Sequence, residues 1–220
     1  MDNNQLELEL FTNYFKQTKQ RVDIDIEMTH PKVTAMTKLT FLQKEGKTIP
    51  QIKEMKLCLN SENIYISKIT FLKNYFSNNN NSTINNVQNP SLSFHNSNPP
   101  FTKTYLDSLY ANIEEIDSFK NVNRVEWEIR SKGNLVIIIP TSLIDSPKVK
   151  ILIEYELIEN DLGIVFHHFY DEKIDIDHSV CFTPNFYFNT QMWVPCIYDL
   201  SLQIMWRVYI ITPIDYVTYC

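Results

Sequence analysis

From Arg21 to Met28 the chain alternates strictly, with Val22, Ile24, Ile26 and Met28 on one face and Arg21, Asp23, Asp25 and Glu27 on the other. Successive strand side chains point to opposite faces, so the pattern predicts a half-buried strand. Beyond the His30-Pro31 break, Val33, Ala35, Thr37, Leu39 and Phe41 repeat the period of two as far as a turn over 44–47 around Gly46. A hairpin is the expected product. Two further strands are predicted over 56–60 and 63–71, where Ile64, Tyr65, Ile66 and Ile69 are types that pack well on a pleated surface. The first third of the chain therefore reads as all β.

The pattern then lapses. Residues 74–102 hold an asparagine run at 78–81, further asparagines and serines, and Pro90, Pro99 and Pro100. So little apolar surface cannot offset the entropy of ordering the backbone, which predicts a disordered insertion or surface loop. Over 104–119 the apolar positions Tyr105, Leu106, Leu109, Tyr110, Ile113 and Ile116 recur at three and four, with Thr104 placed to cap. That spacing predicts one short amphipathic helix. Strands return over 125–129, 135–139 (ended by Pro140), 149–158, 164–170 and 204–212 (ended by Pro213). The expected fold is mainly β, two sheets of antiparallel or mixed strands in a single domain over 1–220.

Composition narrows the function. Across 220 residues, 44% apolar and 21% charged side chains supply a sizeable core. Three glycines, Gly46, Gly133 and Gly163, argue against a glycine-rich phosphate loop. A net charge of -6 opposes general adhesion to nucleic acid and leaves room for a local basic patch. Cys58, Cys181, Cys196 and Cys220 are far apart, with no CxxC pair and no apolar leader, and are read as free thiols in a reducing compartment. No apolar run approaches the roughly 20 residues of a membrane span, so a soluble protein is expected.

Candidate chemistry is sparse. His30, His95, His167, His168 and His178 include no HExxH pair, and the neighbours His167 and His168 are expected on opposite faces of a strand. The acidic residues Asp171, Glu172, Asp175 and Asp177 read as the wet face and loop of a sheet edge. Cys196, between Pro195 and Ile197, reads as a packed thiol, and there is no GxSxG or Walker-type segment. No catalytic, cofactor-binding or metal-binding residue is assigned.

One stretch is distinctive: Met192-Trp193-Val194-Pro195-Cys196-Ile197-Tyr198-Asp199, followed by Trp206-Arg207-Val208-Tyr209-Ile210-Ile211-Thr212-Pro213. It resembles the W-F-P-C-x-D segment and the tryptophan-led strand in the first domain of aminopeptidase N-like proteins, in the branch represented by TFIID subunit 2. The 20–41 hairpin, the Met55-Lys56-Leu57 strand start, the 105–116 stretch and the strand over 163–169 are similar to the same template. Tyr198 stands where the family carries an acidic residue, with Asp199 one position later, and Gln191 stands where it carries an arginine.

The resemblance implies an aminopeptidase N-type N-terminal β-sandwich or saddle domain, part of a longer architecture. Trp193, Pro195, Cys196 and Trp206 would build its turn and core, the strand from Ile204 being central. It further implies a nuclear, non-catalytic subunit of TFIID acting in transcription initiation. Its partners would be other TFIID subunits and, through the assembly, core-promoter DNA, with no cofactor, membrane or small-molecule substrate. The alternatives are the non-catalytic front domain of a zinc aminopeptidase, which would require a downstream HExxH, and an unrelated β-sandwich binding domain.

Overall fold

A computed structural model of the chain describes residues 10–72, 123–130, 134–157, 163–171, 176–184, 190–197, 199 and 201–218. The opening hairpin forms as expected. Strand β1 (Phe15–Glu27) pairs antiparallel with β2 (Lys32–Gln43), Ile24 opposite Ala35 and Val22 opposite Thr37. β1 starts six residues before the strict alternation does, because its inward positions there are Gln17 and Gln20 and its register shifts between Gln17 and Lys19. A polar inward residue and a bulge both hide a strand from a test of periodicity.

The remaining strands are β3 (Glu54–Asn60), β4 (Ile64–Leu72), β5 (Asn123–Arg124), β6 (Glu126–Arg130), β7 (Asn134–Pro140), β8 (Lys148–Leu157), β9 (Val165–Asp171), β10 (Ile176–Phe182) and β11 (Met205–Ile211). A six-stranded sheet has the order β11-β1-β2-β8-β4-β5, with β1 and β11 parallel and its other pairs antiparallel. A three-stranded antiparallel sheet has the order β3-β7-β6, and β9 and β10 form a ribbon. The prediction of a mainly β fold is correct; the expected two sheets are accompanied by a third, two-stranded one. β10, which the periodicity does not predict, begins among the acidic residues expected at a sheet edge and pairs with β9, Ser179 opposite His168.

Val22, Ile24, Leu39, Phe41, Ile151 and Ile153 of the large sheet share one hydrophobic cluster with Met55, Leu57, Leu59, Leu135, Ile137 and Ile139 of the small one. Phe11, in a 3-10 turn before β1, stacks on Phe15 at 4.4 Å and meets Phe41 edge-on at 5.2 Å, sealing one end. Within β7, Leu135, Val136, Ile137 and Ile139 are all buried, as befits the middle strand of its sheet.

One expectation needs correction. β11 is an edge strand of the large sheet and not a central one, and Trp206 lies 39% exposed on it, outside the core. Its apolar run resembles that of a buried strand, but β1 flanks it on one side only among the described residues. The consecutive strands β3 and β4 belong to different sheets and do not pair with each other. The helix predicted over 104–119 and the insertion over 74–102 lie outside the described residues.

Candidate functional site

The distinctive segment lies where the two sheets meet. Val194 and Cys196 are buried and Trp193 packs against the core. The Cys196 N–H donates to the Asn60 carbonyl at 3.1 Å and the Asn60 N–H donates to the Cys196 carbonyl at 2.8 Å, tying the segment to the end of β3. On the other side, Gln20 Nε2 of β1 donates to the Pro195 carbonyl at 2.9 Å and the Tyr155 hydroxyl of β8 donates to the Trp193 carbonyl at 3.1 Å. Pro195 has no N–H to satisfy and fixes the local backbone, so its free carbonyl is presented to Gln20. One short stretch thus bonds strands of both sheets.

A buried polar chain supports this joint. Gln17 Nε2 donates to Gln20 Oε1 at 2.9 Å, Gln20 Nε2 also donates to Thr37 Oγ1 at 3.0 Å, and Thr37 Oγ1 donates to the Arg21 carbonyl at 3.1 Å. Burial pushes the Cys196 thiol up to about 12, which holds it protonated and inert as a nucleophile. Burial, followed by the neighbouring Cys196 and Asp23, likewise raises the Tyr155 hydroxyl well above the usual phenol value. Asp199, the displaced acidic residue, accepts from the Ser201 hydroxyl at 2.7 Å and the Ser201 N–H at 2.9 Å, which keeps its carboxyl below the ordinary range. It anchors the turn leaving the joint.

The other sequence candidates scatter. His168 meets Ser179 Oγ at 2.6 Å on one face of the ribbon, while His167 and His178 flank Phe169 on the other, at ring distances of 5.9 and 5.1 Å. The two neighbouring histidines do face opposite ways, as alternation requires. His30 lies by Glu27 in the first turn, and Cys58 is exposed on β3. His95, Glu172, Asp175, Tyr198 and Cys220 lie outside the described residues, as do the side chains of Asp171 and Asp177. Among the described residues no group of three His, Cys, Asp or Glu is placed to hold a metal, and no helix is long and apolar enough to cross a membrane.

Sequence reading missed a basic recess on the outward face of the large sheet. Lys19 and Arg21 of β1, Lys38 of β2, Lys148 and Lys150 of β8 and Arg207 of β11 line a cavity of about 290 Å³. Arg21 is oriented by Asp23, with contacts of 2.7 to 3.1 Å, and lies over the Tyr209 ring at 4.4 Å. The signal was the alternate-position cations Lys19/Arg21 and Lys148/Lys150, but strand order was needed to bring them together.

No family model matches the chain, and no curated protein matches it. Among solved structures, the native LTA4 hydrolase of yeast and its complex with bestatin are each similar at a TM-score of 0.53 and 8% identity, over 97% of this chain and 26% of that chain. Another structure of native leukotriene A4 hydrolase from Saccharomyces cerevisiae gives 0.54 at the same identity and coverage. This chain spans about a quarter of the length of those chains. Identity that low carries the fold alone: this chain shares the β fold of a part of those hydrolase chains.

Proposed function

We propose that this chain is a non-catalytic structural and interaction module, used as the first domain of TFIID subunit 2 is used, within a nuclear assembly that initiates transcription by RNA polymerase II and recognises the core promoter. The observation that carries the reading is the engagement of residues 193–196. Their carbonyls and amides are bonded to β1, β3 and β8, so the most distinctive stretch of the chain closes the fold and does not line a reactive cleft. The protonated Cys196 thiol agrees with that role.

β11 supports an interaction role as well. Met205, Trp206, Val208, Tyr209 and Ile210 are all large, apolar and more than a third exposed on one edge strand. Exposed apolar strand edges are unusual on a domain that stands alone, and they suit contact with another polypeptide. On this reading the partners are other TFIID subunits, with core-promoter DNA met through the assembly, and no cofactor or small-molecule substrate is used. Affinity purification of the tagged natural protein from nuclear extract tests this. TFIID subunits should co-purify in stoichiometric amount, and their absence contradicts the proposal.

The likeness to yeast LTA4 hydrolase, including its bestatin complex, favours a second reading, the non-catalytic front domain of a zinc aminopeptidase. Bestatin-sensitive hydrolysis of aminoacyl amides by the natural protein, with no TFIID subunits recovered, would select it.

A further inference from the structure

We infer that the basic recess of the large sheet binds a compact anion carrying two or more phosphate groups. Six cationic side chains from four strands converge there on a chain whose net charge is -6. Their placement is orderly. Arg207, Arg21 and Lys38 stand directly opposite one another on β11, β1 and β2, and on the next rung Lys19 and Lys150 flank Thr40. Like charges at opposed positions destabilise a sheet, and a bound anion would relieve that repulsion. Three adjacent strands spread the first rung over roughly 10 Å, a span that linked phosphates can bridge.

The chemistry favours phosphate. Guanidinium forks match phosphate oxygens with paired hydrogen bonds, and Asp23 together with the Tyr209 ring holds Arg21 in place before any ligand arrives. Lys38, Lys148 and Lys150 each interact with a neighbour already.

Two features select a compact ligand over a nucleic-acid strand. Along β1 the same outward row that begins with Lys19 and Arg21 continues into Asp25 and Glu27, which would repel a phosphate backbone laid along the face. Arg21 lies over one face of the Tyr209 ring beside the recess, so a base could not stack on that face without displacing it. The cavity is also at the small end of ligand sites. This site stands whether or not the chain docks in TFIID.

Isothermal titration of the full chain with inorganic tripolyphosphate, at low and at physiological ionic strength, tests the site. Saturable one-to-one binding is expected, weakened by salt and about tenfold weaker in Arg207→Ala or Lys150→Gln, since each removes a charge-assisted contact. Lys68→Ala, which removes a cation paired with Glu154 outside the recess, should bind as the unaltered chain does. Thermal melts without anion confirm that each variant is folded. Absence of saturable binding, equal binding by a folded Arg207→Ala and Lys150→Gln, or a short duplex DNA that binds more tightly than tripolyphosphate and displaces it would each overturn the inference.

Discussion

Gln20 shows how single residues hold the joint together. Although only 1% exposed, it donates from its amide nitrogen to Thr37 and to the Pro195 carbonyl and accepts from Gln17, so its amide is bonded at both ends. A buried polar group so satisfied costs little, and it specifies one way of seating the segment. Cys196 and Tyr155 carry a pH signature of that seating. Both are acids whose neutral form is favoured by burial, so the folded state retains their protons at alkaline pH while the unfolded chain releases them. The Cys196 contribution is complete below the ordinary thiol value of 9.0 and is lost as pH rises toward about 12; that of Tyr155 is lost in the same direction, above the ordinary phenol range. A melting series over that range should show falling stability, with a shallower slope in Cys196→Ala; an unchanged slope would contradict the burial of this thiol. None of this pairing was legible in the sequence, since Gln20 looks like a surface residue and its partner lies 175 positions away.

At the scale of elements, period-two patterning located the strands well and their neighbours poorly. The strand over 135–139 and the strand from Ile204 both read as apolar runs, yet β7 is a buried middle strand and β11 an exposed edge. Periodicity reports which faces are apolar, whereas sheet order depends on contacts between distant segments. β10 escaped because the acids before it signalled a loop. The distinction has a stability consequence. Phe41 is fully buried, and Phe41→Ala should cost about 3–5 kcal/mol through loss of transfer energy and the cavity left behind. Trp206→Ala, on the edge, should cost no more than about 2 kcal/mol. Denaturant unfolding of the two variants measures both, and a cost for Trp206→Ala equal to that for Phe41→Ala would contradict the edge placement.

For the whole molecule, the mainly β architecture and the architectural role of 193–196 were legible because Trp193, Pro195 and Cys196 are residue types that pack or fix a turn. The recess was not, because its six cations belong to four strands that come together only in the sheet. The central claim is that residues 193–196 are a buried joint between two sheets, and Cys196 reports on it directly. Timed alkylation of the native chain, read by peptide mass spectrometry, compares it with the exposed Cys58. Rapid labelling of Cys58 with Cys196 protected until denaturant is added is the expected result. Native labelling of Cys196 as fast as Cys58 would contradict the account.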